Sequence, residues 1–468
     1  MLFTSMEFLF LYFPIVFVGY FILRGKLRNY WLLVASLFFY AWGEPKFVLA
    51  MLASIIINYG AALSIELLRE KKRICQGILC LDLVVNLGIL FVFKYMNFVT
   101  GMFPDFLPQT SFVLPIGISF FTFQALSYVV DVYRGIPAQK NPFYVGLYIS
   151  LFPQLIAGPI VRYTTIMDQI EERTITVDGF CHGVLRFLYG FNKKILLANL
   201  LAKVADAAFA AESLSTGMAW LGAICYSLQI FFDFCGYSEM AIGLGEMFGF
   251  HFLENFNYPY ISKTVTEFWR RWHISLGTWF RDYLYFPLGG SRVESKLRLV
   301  FNLAVVWFAT GIWHGANWTF LLWGILHGTV IIIEKLTGIP KKAEEKKAFA
   351  VVYRMVTLLV VVLGWVLFRA ESVGAGFEYI AVMFAVGETG LADTQFFFQL
   401  REYVVILAAG ILFAMPLVKN VKERLAAKSE KVATLCDYVG CGVQLVLFIV
   451  SISFLVMNAH NPFIYFNF

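Results

Sequence analysis

The chain is 468 residues long, 60% hydrophobic and 15% charged, with a formal net charge of +6. Soluble proteins are nearer about 45–50% apolar and about 25% charged, so a soluble fold is excluded and an all-α integral membrane protein is expected, in keeping with a mean hydropathy of +0.72. The basic excess does not imply nucleic acid, because the lysines and arginines sit in short clusters between apolar runs, where they read as topology signals.

A spanning helix needs about 17–25 largely apolar residues. The apolar runs place candidates in chain order at 6–23, 29–42, 47–67, 77–93, 112–130, 180–201, 218–234, 299–313, 319–333, 349–368, 403–418 and 442–457. The first run has no basic stretch before it and no small-residue cleavage site after it, so it is expected to be a retained helix. Gly43-Glu44-Pro45-Lys46 reads as a turn, since proline cannot continue one helix but can begin the next. Allowing for broken segments, roughly 11 to 13 embedded helices are expected. There is no internal repeat or low-complexity tail, and residues 1–468 read as a single membrane domain. The seven cysteines (75, 80, 181, 225, 235, 436, 441) contain no CxxC and are odd in number, which suggests buried free thiols and no disulfide framework.

Basic loops set the orientation. Arg24, Lys26 and Arg28 form one cluster, and Arg69, Lys71, Lys72 and Arg73 form another two helices later. Both then face the cytoplasm, and the N-terminus lies outside. The same alternation puts Arg134 and Lys140, the lysines of 341–347 and those of 419–431 inside, and the less basic loop 371–399 outside. Lys193 and Lys194 fit poorly, because they interrupt the run 180–201.

Two stretches break the pattern. Residues 151–159 are apolar but carry two prolines and a glycine. Irregular backbone at membrane depth must be buried in protein or line a cavity, so a re-entrant loop is expected there. Residues 264–290 are partly apolar yet hold Arg270, Arg271, Arg281 and Asp282. Within them Trp269, Trp272, Leu276, Trp279 and Tyr283 recur at spacings of three and four, with Arg270, His273 and Gly277 on a neighbouring stripe. One amphipathic helix at the cytoplasmic interface is expected, anchored by its tryptophans. Its arginines would face lipid phosphates or an anionic donor, and His273 a reaction path.

His314, in the stretch Trp313-His314-Gly315, is the residue most in need of explanation. An ionisable ring in so apolar a setting is a functional-site hypothesis by default. Trp307, Gly311, His314 and Trp318 share a stripe, and glycines at 311 and 315 leave room for a substrate chain or another helix. The bland alternative is a neutral histidine hydrogen-bonded between helices. His327 reads as structural, and His182, His251 and His460 lie near segment ends. No HExxH, GxSxG, Walker or Rossmann pattern is present, and His273 and His314 lack the short spacing of a local zinc site, so no metal is expected.

The run WRRWHISLGTWFRDYLYFPLGGSR at 269–292 and GIWHGANWTFLLWGILHG at 311–328 resemble the membrane-bound O-acyltransferases, and within them the bacterial alginate- and peptidoglycan-acetylating branch. The stretches 114–135, 151–163 and 227–250 agree. The resemblance implies about 11 transmembrane helices plus re-entrant and interfacial helices surrounding a tunnel. It maps a catalytic role onto His314 as general base and a second motif histidine onto His273. It further implies acyl transfer from a cytoplasmic thioester, acetyl-CoA being the expected donor substrate with no bound cofactor, toward O-acetylation of an extracellular polysaccharide. Arg270 and Arg271 would bind the donor phosphates. An exported acetyltransferase would be the partner, in the lipid of the inner or plasma membrane. Two alternatives stand beside this: D-alanyl transfer toward teichoic acid, and a transporter or flippase, for which broken helices and membrane histidines are also expected. Neither Cys235 nor the loop 371–399 receives a role.

Overall fold

The computed structural model describes residues 1–103, 110, 114–387, 390–457 and 463–464. No strand occurs among them. A bilayer core offers backbone groups no water, so a chain this apolar must satisfy its N–H and C=O groups within helices. Among the described residues eight helices are long and apolar enough to cross a membrane: Val48–Leu67, Lys72–Gly101, Thr216–Met247, Lys296–His314, Trp318–Thr337, Lys347–Arg369, Thr394–Phe413 and Glu430–Met457. Other expected spans correspond to shorter helices, among them Phe8–Ile22, Leu27–Gly43 and Ile118–Tyr133. The start of the expected span 112–130 lies outside the described residues. Large apolar side chains stay exposed on several spans, for example Val351, Val352 and Met355, or Val446 and Ile449. Such surfaces suit lipid tails and would be liabilities in water.

Three expectations are corrected. The span read at 403–418 is Thr394–Phe413. Its start is set by Asp393, whose side chain accepts from Phe396 N at 2.7 Å, and it stops short of Met415-Pro416, where helix is disfavoured. The span read at 442–457 begins at Glu430, because backbone hydrogen bonding continues past the apolar run through Lys431 and Asp437. The stretch 371–399, read as a loop, contains the helix Val373–Met383, opened by Ser372 Oγ accepting from Ala375 N at 3.1 Å.

The chain packs as two compact units, one of Met1–Phe187 with Tyr237–Leu253, the other of Leu188–Gly236 with Glu254–Phe468. In the first unit, residues 151–161 are all buried and only Phe152–Leu155 is helical, so the irregular backbone there is enclosed by protein. Side-chain hydrogen bonds tie it down: Ser36 Oγ accepts from Phe152 N at 3.1 Å, and Gln154 Nε2 donates to Tyr148 O in the preceding helix at 2.6 Å.

In the second unit, Lys296–His314 and Trp318–Thr337 form a tight hairpin. A Cβ on Gly324 would stand 2.7 Å from Trp307 O and 3.0 Å from Gly311 Cα, and one on Gly328 would stand 2.7 Å from Trp307 Cβ. The two GxxxG patterns, 311–315 and 324–328, thus let the backbones approach closely. One of the two lysines that fitted the topology poorly has a buried partner here. Lys194 lies in a π-helical turn, Lys193–Ala198, with its ammonium against the buried carboxylate of Asp233 and 2.9 Å from Asn199 Oδ1.

Candidate active site

The second unit gathers both motif histidines around Trp313. Ser295 opens the helix Lys296–His314, its side chain accepting from Leu297 N at 3.2 Å, and His314 is the last helical residue. Asn317 opens the next helix, accepting from Thr319 N at 3.1 Å, while its Nδ2 donates to Glu371 O at 3.1 Å. The far end of the connection that follows His314 is thereby fixed. The imidazole of His314 is buried among Trp323, Trp313 and Phe368, at ring-centroid distances of 4.9, 5.0 and 5.3 Å. The room beside Gly311 and Gly315 is taken by the neighbouring helix: a Cβ on Gly315 would run into the Phe320 ring, and one on Gly311 would stand 2.8 Å from Phe320 O.

His273 does not lie on one continuous amphipathic helix, which corrects the expectation for 269–283. Two seven-residue helices, Val265–Arg271 and Ile274–Phe280, are separated by a break in which His273 takes φ 45, in the left-handed region. The break is held by an extended stretch beside it. Asn257 N donates to Arg271 O, and Ile274 N to Asn255 O, each at 2.9 Å. The kink turns Trp272 and His273 into the protein, at 1% and 2% exposure, and not along a lipid interface. The His273 ring stands 4.6 Å from Phe234 and 6.0 Å from Trp313, so the two motif histidines contact the same indole. His273 Nδ1 is 3.1 Å from Asn255 Oδ1. Burial pushes the His273 imidazole down to about 3, so it is neutral at ordinary pH.

The first short helix is fastened from below by a residue that sequence reasoning passed over. Glu334, fully buried on Trp318–Thr337, accepts from Val265 N at 2.7 Å, from Thr266 N at 2.8 Å and from Thr266 Oγ1 at 2.5 Å. A carboxylate on the free N–H groups of a first turn is favoured by hydrogen bonding and by the helix dipole together. Asn255 was also missed. It stands in a polar loop sequence, Asn255-Phe256-Asn257-Tyr258, with nothing local to mark it as a partner of His273.

The arginines divide. Arg271 is engaged within the protein, its Nε donating to Glu267 Oε1 at 2.9 Å and its Nη1 to Asn257 O at 3.1 Å. Arg270 is exposed and makes no hydrogen bond or ion pair among the described residues. His327 is boxed by Trp269, Trp323 and Trp307 at 5.0, 5.2 and 6.0 Å. No cluster of three or more histidine, cysteine or carboxylate side chains suited to a metal ion occurs among the described residues.

The fold is a multi-pass helical one, and the model of the membrane-bound O-acyltransferase family matches residues 140–373. The chain belongs to that family and is an acyltransferase, which leaves the transporter reading without support. It is 40% identical, over the full length of both chains, to a protein described as probable alginate O-acetylase AlgI of Azotobacter vinelandii. It is 31% identical to the peptidoglycan O-acetyltransferase of Helicobacter pylori, over 100% of this chain and 98% of the relative. The likeness to the teichoic acid D-alanyltransferase of Bacillus subtilis is weaker, 26% over 56% of this chain and 69% of the relative.

Proposed function

We propose that this protein transfers an acetyl group from a cytoplasmic thioester, acetyl-CoA, across the membrane for O-acetylation of an extracellular polysaccharide, with His314 as general base. The observation that carries the reading is the joint burial of His314 and His273 against Trp313, inside the segment that matches the family. The names of the full-length relatives favour acetyl over D-alanyl as cargo. The family match draws residues from both compact units, which favours 1–468 acting as one catalytic domain.

In the proposed step the neutral His314 imidazole takes the proton of an attacking hydroxyl. The oxygen adds to the thioester carbonyl, the C–S bond breaks, and the CoA sulfur leaves with a proton returned from the imidazolium. Holding donor and acceptor in line within a tunnel would contribute much of the remaining acceleration. Arg270 suits the donor phosphates better than Arg271, which already serves Glu267 and the Asn257 carbonyl. The basic clusters support an N-terminus outside in the inner or plasma membrane. An exported acetyltransferase would pass the group onward to the glycan.

The test is His314→Ala in the producing cell, with membrane abundance by immunoblot and polysaccharide O-acetyl content by mass spectrometry. Loss of acetyl at normal abundance is expected; retained acetyl would sink the assignment. Arg270→Ala should raise KM for acetyl-CoA while leaving kcat nearly unchanged.

A further inference from the structure

The hydrogen bonds around His273 determine which of its nitrogens carries the proton. Ser275 N lies 3.2 Å from Asn255 Oδ1. A backbone N–H can only donate, so the atom facing it is the amide oxygen, and turning the amide over would set donor against donor. The same oxygen lies 2.9 Å from Ser275 Oγ and 3.1 Å from His273 Nδ1. An amide oxygen has no proton to give, and the Ser275 hydroxyl, 3.4 Å from Nδ1, is nearer to the amide oxygen and donates there, so the proton between that oxygen and the ring resides on Nδ1. With burial keeping the ring neutral, the lone pair is then on Nε2.

Asn255 holds this arrangement at a cost. It is 1% exposed, and its Nδ2 is buried without a hydrogen-bond partner among the described residues. An unsatisfied buried donor is costly, so a residue that merely filled this space would be better apolar. Its backbone is committed as well, since Asn255 O accepts from Ile274 N across the break where His273 sits.

We infer that Asn255 is a positioning residue of the transfer reaction: it locks His273 as the Nδ1–H tautomer, so that Nε2 presents a fixed hydrogen-bond acceptor to a substrate hydroxyl. This rests on the proposed part of His273 in acetyl transfer. It assigns that part as acceptor and orienter, beside His314 as the base that moves the proton.

The experiment uses the full chain in lipid nanodiscs, labelled with ring-15N histidine. The His273 signal is assigned by its loss in His273→Asn, a replacement that tolerates the left-handed backbone. The expected spectrum has Nδ1 protonated and Nε2 bare; an Nε2–H tautomer would overturn the inference. Asn255→Asp, which keeps an acceptor, should retain the tautomer and most of the transfer activity. Asn255→Leu should lose the fixed tautomer and at least about tenfold in rate, and an Asn255→Leu protein with full activity would also overturn it. The wild-type spectrum needs no change at Asn255, so a misfolded leucine variant leaves the test intact. Full activity in His273→Asn, with Nδ1–H observed in the wild type, would sink the reaction role of His273 and leave the hydrogen-bond assignment standing.

Discussion

Lys194 Nζ lies 2.5 Å from Asp233 Oδ1, and both side chains are almost completely buried, at 4% and 2% exposure. The second carboxylate oxygen accepts from Ile464 N at 2.8 Å, so this one pair joins a π-helical turn, the helix Thr216–Met247 and the residues near the C-terminus. Removing one member of a buried pair strands the other charge, at about 3–5 kcal/mol, whereas replacing both by apolar groups is often neutral. Lys194→Met and Asp233→Leu should each lower the midpoint of thermal unfolding in detergent strongly. The double variant should recover most of the loss. A double variant as unstable as the worse single one would show that the two side chains act separately.

The hairpin beneath His314 depends on glycines that admit no side chain. At Gly324 a Cβ would meet Trp307 O at 2.7 Å, a backbone atom that cannot swing aside. Gly324→Ala is expected to cost about 1–3 kcal/mol by overpacking, and Gly324→Val more, with acetyl transfer falling in step as His314 is displaced. Gly442→Ala is the control, because nothing stands within 4 Å of its added Cβ. It should match wild type in unfolding midpoint and activity. Equal effects at both positions would refute the close-approach explanation.

The hairpin was legible because its apolar runs end at side chains that cap locally. Helices read at 299–313 and 319–333 are observed as Lys296–His314 and Trp318–Thr337, opened by Ser295 and Asn317. The break at His273 was not legible. A stripe at spacings of three and four records which faces are apolar, but a left-handed residue leaves no mark on it. The cause lies in hydrogen bonds accepted by Asn255 and donated by Asn257, well upstream in the chain. The same holds for Glu334, whose partners Val265 and Thr266 are 69 and 68 residues away. Local composition located His273 and His314, whereas the residues that hold them are defined only by tertiary contact.

Glu334 yields a prediction of its own. Glu334→Ala removes the acceptor from two backbone N–H groups and the Thr266 hydroxyl, freeing the first turn of Val265–Arg271. An N-cap loss costs about 0.5–2 kcal/mol. Because this helix leads directly into His273, activity should fall further than stability does. Glu334→Gln retains one acceptor oxygen and should lie between wild type and alanine in both. Acetyl-transfer rate and unfolding midpoint, measured on the same purified samples, check the order. An alanine variant with normal activity would show that the anchor does not position the site.

His273 also predicts a pH dependence of stability with a definite sign. Its ring lies outside the spanning helices, and burial lowers its pKa from 6.5 to about 3. Between these values the unfolded chain binds a proton that the folded protein excludes. Stability from this residue is therefore complete above pH 6.5 and is lost as the pH falls toward 3, with a slope of up to about 1.4 kcal/mol per pH unit. Carboxylates titrate in the lower part of this range, so the informative window is pH 6.5 down to 5, read as the difference between wild type and His273→Asn. The wild-type unfolding midpoint should fall faster than that of the variant across the window and run parallel to it above pH 7. Parallel curves throughout would mean that the His273 site admits a proton as readily as water does. A histidine of that kind could not keep Nε2 available as a fixed acceptor.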